Sequence, residues 1–309
     1  MDTMQIAGLL TSTVVAAIPL MLAGIGELIT ERSGVLNLGV EGMMLIGAVI
    51  GYAVAVSTGH PYLGLAAGAL AGMAMALLFG FLTLTMLSNQ VATGLSLTIF
   101  GIGFSAYLGK PFTSATLPVS IAPWAIPGLS SIPVVGPAFF QLTPVGYAAF
   151  LLFPGAAWFL HRSRAGLVLR SIGEAPGIAH QVGFSVVAVR YYATLFGGAM
   201  AGLGGAYYSI VYLHLWQEQL TSGRGWIALA LVVFATWRPW RLLIGALLFG
   251  FVMALQFYAQ AIGVAVPTQF LAMLPYGATV FVLVLISRNP NTIKLNAPTS
   301  LGRTFFSVG

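Results

Sequence analysis

Long apolar runs, interrupted by few charges, set the pattern of this chain. Residues 3–26 carry no acidic or basic side chain. A helix needs about 20 apolar residues, at about 1.5 Å each, to cross a bilayer core, so this run predicts one span over 6–28. From Gly42 to Gly109 there are 68 residues without a charge, room for three helices over 35–56, 62–86 and 90–109. The breaks between them carry turn residues, Ser57-Thr58-Gly59-His60-Pro61 and Ser88-Asn89-Gln90. Residues 111–161 are also uncharged, but eight of the sixteen prolines lie between Pro111 and Pro154. An interior proline costs a helix about 3 kcal/mol, so 111–143 is expected to be an ordered external loop with interfacial pieces around Trp124 and Phe139-Phe140. Spans follow over 144–161, 191–216, 226–237, 242–263 and 269–287, with 226–237 short enough to be broken or tilted. The expected fold is an all-α polytopic membrane protein of eight or nine helices, one domain over 1–290 with a cytoplasmic tail over 291–309.

Composition agrees and excludes soluble enzymes. Apolar residues make up 59% and charged residues 6%, against about 45–50% and about 25% in globular proteins; the mean hydropathy is +0.96. Six acidic and twelve basic side chains could not cover a water-soluble fold of 309 residues. The absence of cysteine rules out disulfides, thiolate metal sites and cysteine nucleophiles. Met1-Asp2-Thr3 lacks the basic start of a cleaved signal peptide, so the first apolar run is expected to be a retained span. The net charge of +6 reflects loop placement rather than nucleic-acid binding. With 162–190 placed in the cytoplasm, ten basic residues fall inside (Arg32, Arg162, Arg164, Arg170, Arg190, Arg238, Arg241, Arg288, Lys294 and Arg303) and only Lys110 and Arg224 outside. That asymmetry sets the N-terminus outside and the C-terminus inside.

Glycines recur every four residues at Gly47/Gly51, Gly64/Gly68/Gly72 and Gly198/Gly202, a spacing that lets helix backbones approach in lipid. Two stretches interrupt helical chemistry in similar ways: Glu31 to Leu38, which makes a discontinuous helix near 31–41, and Thr221 to Leu229. On the topology above they fall on opposite membrane faces, as in an inverted repeat with half-helix ends directed at a central site.

Few side chains could carry chemistry. Glu41 lies inside an apolar helix, where an ionisable residue costs about 2.5–3.5 kcal/mol and should face a partner, cavity or pathway. Asn37 is four residues earlier on the same face, and Glu27 is placed similarly. Two readings stand for this group: a polar lining for a solute path that also takes in Arg224 and Trp226, or a structural pairing with Arg32 or neighbouring backbone. Asn89 and Gln90 carry the same two readings, pathway or helix cap. His60, His161, His180 and His214 have no second ligand at metal spacing, and Gly103 to Lys110-Pro111 has the wrong spacing for a phosphate loop. No catalytic or metal-binding residue is assigned, which sets aside an intramembrane enzyme.

The segment 162–190 is the longest polar interruption. Gly173-Glu174-Ala175-Pro176 supplies a turn and a helix start with an acid at the positive helix end. Ile178, Ala179 and Val182 then form a short apolar stripe closed by Gly183. Such a helix suits docking into a partner's groove or lying on the membrane surface.

This segment, with Arg170 ahead of its Gly-Glu-x-Pro, resembles the cytoplasmic coupling loop of bacterial ABC importer permeases serving branched-chain amino acids, simple sugars and nucleosides. Ala175 stands where that loop usually has Asn, and Gly177 and His180 also depart from its pattern. Residues 30–45, 222–230 and 269–276 are similar to the nucleoside and simple-sugar subgroup. The resemblance implies a non-enzymatic permease subunit in the inner membrane, paired with a second, identical or different, permease subunit. It implies an ATPase subunit, binding ATP and magnesium, docked on Arg170, Gly173, Glu174, Ala175, Pro176, Ile178, Ala179 and Gly183, and an extracytoplasmic solute-binding protein. The substrate class it implies is nucleosides or related small polar solutes. The competing expectation is a stand-alone secondary transporter or channel with Glu41 as its proton or cation site.

Overall fold

The computed structural model describes residues 3–262, 267–287 and 296–306; Arg288 and Lys294, counted above among the inside charges, lie outside them. α1 (Thr3–Arg32) leads through a non-helical turn into α2 (Val40–Thr58). α3 (Pro61–Gly80) ends in a π-helical turn, Phe81–Thr85, before α4 (Gln90–Gly109). The proline-rich stretch holds a small antiparallel pair, β1 (Trp124–Ala125) with β2 (Gln141–Leu142), around α5 (Val135–Phe139). Next come α6 (Pro144–Arg162), α7 (Arg164–Glu174) and α8 (Pro176–Gln181). α9 (Val186–Tyr207) continues as a π-helical segment, Tyr208–Leu213. α10 (Arg224–Phe234), α11 (Pro239–Ala261) and α12 (Thr268–Ser287) follow.

Local chemistry explains most boundaries. Asn89, Thr143, Ser163 and Ser185 each accept a backbone N–H from the first turn of the helix they precede. Proline opens α3, α6, α8 and α11, where its missing N–H removes no helical bond.

Among the described residues, seven helices are long and apolar enough to cross a membrane: Thr3–Arg32, Val40–Thr58, Pro61–Thr85, Gln90–Phe112, Pro144–Arg162, Val186–Leu213 and Pro239–Ala261. α12 adds 20 residues, about 30 Å. The eleven residues of α10 reach only about 16 Å, half a crossing. Three expectations are corrected. The second span begins at Val40, not 35, because the turn after α1 runs through Gly34, which has φ +91°. The segment 162–190 holds two helices, not one. And α9 starts at Val186 rather than 191, capped by Ser185, so Arg190 is a buried helical residue instead of a loop charge.

The centre is built on α1 and α9, which run antiparallel: Thr30 Oγ1 donates to the Ala193 carbonyl, Gly26 meets Gly197, and Gly204 meets Pro19. α9 packs on α2 and α3, and α1 packs reciprocally on α10 and α11. α2 carries α3 and α4, as α10 carries α11 and α12. The first four helices therefore correspond in order to the last four with inverted direction, the arrangement expected from the two helix breaks. Outer helices expose large apolar side chains, among them Ile99, Tyr107, Leu151 and Trp158, which in water would be a liability and in lipid is not.

Candidate functional site: two helix breaks joined by Glu41

The two breaks meet, as half-helix ends directed at a central site would. The physical reason is the re-entry of the chain after α9. His214, in left-handed conformation, ends the long helix beside Tyr52, whose hydroxyl reaches the His214 carbonyl at 3.4 Å. Tyr52 is twelve residues past Val40, about 18 Å up α2. Residues 214–223 descend that distance, so α10 starts deep inside beside the start of α2.

Glu41 receives it. Thr221 Oγ1 donates to Glu41 Oε1 at 2.5 Å, the Gly223 N–H donates to the same oxygen at 2.8 Å, and the Gly225 N–H donates to Oε2 at 2.6 Å. A carboxylate thus caps the N-terminus of α10, where unpaired N–H groups and the helix dipole favour negative charge. Gly223 has φ +80°. At Gly225 a Cβ would sit 2.6 Å from the Glu41 Cα, so only glycine admits this approach. With both oxygens occupied, Glu41 is a latch between the two halves. The same geometry leaves little for the coupling ion of a stand-alone transporter to find there.

Beside the latch, Arg224 Nη1 donates to the Thr221 carbonyl at 2.9 Å, and its Cζ lies 4.2 Å from the Tyr208 ring centroid. Tyr208 and Tyr212 stack, with centroids 5.1 Å apart. The Arg224 Nε is buried and has no partner among the described residues. Trp226 is partly exposed on the same half-helix.

On the first break, Asn37 turns the chain: its Oδ1 accepts the Gly39 N–H at 2.9 Å, and its own N–H donates to Glu27 Oε1 at 3.2 Å. Gln90 Oε1 accepts the Leu36 N–H at 2.8 Å, while its buried Nε2 and Glu27 Oε2 have no partner among the described residues. Asn89 is the exposed N-cap of α4, bonded to the Ala92 N–H. The structure brings Glu41, Arg224 and Trp226 to one break and Asn37 and Gln90 to the other, and leaves Asn89 apart. Sequence reasoning missed Thr221, Tyr208 and Tyr212. The strained Ser222-Gly223 pair marked the loop, but nothing in the sequence pairs position 221 with position 41.

At the other end, the expected docking residues divide into mount and face. Gly173 is buried against the Arg32 carbonyl, and Arg170 Nη1 donates to the Leu160 carbonyl at 3.3 Å. Ala175 caps α7 and leads into Pro176, the first residue of α8. Ala179 is buried in a small cluster with Ile172 and Val186. Glu174 is exposed, with Oε2 accepting from Thr299. Ile178, Val182 and Phe184 are exposed, and Gly183 makes the turn that ends α8, with φ +97°.

A cavity of about 890 Å³ between α1, α6, α7 and α9 is lined by apolar residues such as Leu22, Ile25, Phe159, Leu169 and Met200. Among the described residues Tyr192 is its one polar lining side chain, and the cavity touches neither break.

Residues 9–286 match the family model described as "Branched-chain amino acid transport system / permease component". The chain is 41% identical to the Haloferax volcanii protein named "Putative glucose ABC transporter permease protein TsgC13", over 97% of both chains. It is 32% identical to the guanosine ABC transporter permease protein NupQ of Bacillus subtilis, over 92% of this chain and 93% of that one. The nucleoside ABC transporter permease protein NupC of Lactococcus lactis is 31% identical over the same shares. No solved structure matches. The α7–α8 projection, the paired helix breaks and a match over nearly the whole chain lead to one assignment: the chain is a multi-pass membrane permease of the branched-chain amino acid transport family, in its sugar and nucleoside branch.

Proposed function

We propose that this chain is one transmembrane half of an ABC importer that moves nucleosides or related small polar solutes into the cell by alternating access. A separate cytoplasmic ATPase binds ATP and magnesium and supplies the work; this chain carries no cofactor. The observation that carries this reading is the α7–α8 projection, which holds Ile178, Val182 and Phe184 exposed on a buried mount. Three apolar side chains on a rigid short helix pair are a docking knob for a groove. A second permease subunit and an extracytoplasmic solute-binding protein complete the assembly in the cytoplasmic membrane. The N-terminus lies outside and the C-terminus inside, on the charge asymmetry of the loops.

Supporting a polar solute are the buried polar atoms without a partner among the described residues at both breaks, Arg224 Nε at one and Gln90 Nε2 and Glu27 Oε2 at the other. A simple sugar is the second reading, favoured by the 41% identical relative named for glucose.

Two measurements test this. Replacing Ile178 and Val182 by Asp is expected to weaken association with the ATPase at least about 30-fold, as loss of an apolar anchor does at a protein interface. Membrane insertion should be unchanged, and undiminished ATPase binding would overturn the docking assignment. In proteoliposomes holding the complete transporter, ATP-dependent uptake of labelled guanosine is expected to exceed that of labelled glucose, and the reverse order would establish the sugar reading.

A further inference from the structure

The described part of the C-terminal tail lies across the machinery. The Ser300 N–H and Oγ both donate to the Gly173 carbonyl at the end of α7, at 3.0 and 2.7 Å. The Gly302 N–H donates to the Gly34 carbonyl in the α1–α2 break at 3.1 Å. Thr299 Oγ1 donates to Glu174 Oε2 at 2.8 Å. Phe305 stacks edge-on to His180 and packs on the Ile172, Ala179 and Val186 cluster that mounts α8.

Arg190 ties these together. It is 1% exposed, and its guanidinium is satisfied by three residues on two segments: Nε donates to the Ser33 carbonyl at 3.2 Å, and in the tail Nη2 donates to Ser300 Oγ at 3.1 Å and Nη1 to the Arg303 carbonyl at 3.1 Å. A buried cation must have its donors met. Without the tail, Arg190 would keep one of these acceptors. The carbonyls of Ser33 and Gly34 are free to bond outward because the chain is not helical after α1.

We propose that residues 299–305 are a coupling strap, with Ser300 and Phe305 as positioning residues. The strap joins the α7–α8 knob to the α1–α2 break, and through the few residues from Gly34 to Glu41 it reaches the latch on α10. Movement of the knob is thereby carried to the opposite break. This inference rests on the reading of α7–α8 as the ATPase-docking element.

The chain has no cysteine, so a single engineered thiol is the only label site on this chain, read from its own band on a gel. Gln181→Cys reports on the knob and Ser222→Cys on the opposite break, both at exposed positions. Each is measured by maleimide labelling rate in the complete transporter, with and without trapping by MgATP and vanadate. In the parent chain, trapping is expected to change both rates at least about fivefold, the lower end of ordinary site-to-site coupling. In Ser300→Ala/Phe305→Ala, the Gln181→Cys response should persist while the Ser222→Cys response falls below about twofold. If the double variant does not fold, Ser300→Ala alone decides, with the same direction expected. A full Ser222→Cys response in the folded strap variant overturns the strap. A parent chain with no response at Gln181→Cys overturns the docking reading instead.

Discussion

Glu41→Ala is expected to leave little stable permease in the membrane. The substitution removes the acceptor of the Thr221 hydroxyl and of the Gly223 and Gly225 N–H groups. Two backbone donors then remain unpaired at a largely buried helix N-terminus. An orphaned buried donor costs about 1–3 kcal/mol, and two backbone donors are orphaned, so a loss of about 4 kcal/mol is expected. The thermal midpoint of the detergent-solubilised protein should fall by roughly 6–15 °C. Glu41→Gln is the sharper test. Its carbonyl oxygen can keep one or two of the donors, but its amide must then face another N–H, so about 2 kcal/mol should be lost. An ion-coupling carboxylate behaves otherwise, since the Gln variant would fold normally and lose only gradient-driven flux. A thermal midpoint equal to that of the parent in both variants would remove the latch from this account.

Valine at Gly72 or Gly202 is expected to abolish the fold outright. Gly72 lies on α3 and Gly202 on α9; a Cβ on Gly72 would stand 2.7 Å from the Gly202 Cα and 2.8 Å from its nitrogen, and one on Gly202 2.8 Å from the Gly72 Cα. Carbon atoms prefer about 3.5–4.0 Å, and here the obstacle is backbone, which cannot turn aside as a side chain can. The helices would have to separate along a seam that also joins Gly47 on α2 to Gly202 and Gly51 to Gly64. In lipid there is no hydrophobic gain to offset that separation, because close packing itself holds the helices together. The cost should exceed the usual 1–3 kcal/mol of overpacking. No monodisperse protein should be recovered by size-exclusion chromatography. Gly8→Ala and Gly155→Ala are the controls: a Cβ at either meets nothing within 4 Å, so helix propensity should leave stability equal or higher by about 0.5–1 kcal/mol. Failure of the controls, or recovery of the Gly72 variant, would show that the seam does not hold the bundle.

How much of this was legible in the sequence depends on how local the cause is. The charge-free runs placed the helices within a few residues because the length needed to cross a bilayer is read one segment at a time. Proline and Asn/Ser/Thr caps likewise marked the ends of α3, α4, α6 and α8. The four-residue glycine spacing foretold close helix contact but not which helices meet, since α2, α3 and α9 all carry it. Arg190, a basic residue at the edge of an apolar run, has the same local pattern whether it ends a loop or begins a helix, and only the packing on the tail distinguishes the two.

The candidate site was less legible than the fold. Glu41 stood out as an ionisable residue in an apolar helix, but its partners are 180 to 184 positions away, on a loop that re-enters the membrane. Ser300 and Gly173 are 127 apart, and neither carries a pattern of its own. The amino-acid order by itself determined the membrane class, the helix positions, the two breaks and the family, because hydropathy, caps and turn residues act over a few neighbouring positions. The contact between the breaks, the role of Glu41 as a latch and the tail across the knob were decided only by the tertiary structure. Those depend on which unsatisfied donors and acceptors the packed helices bring within 3 Å, and no periodicity along a chain encodes that.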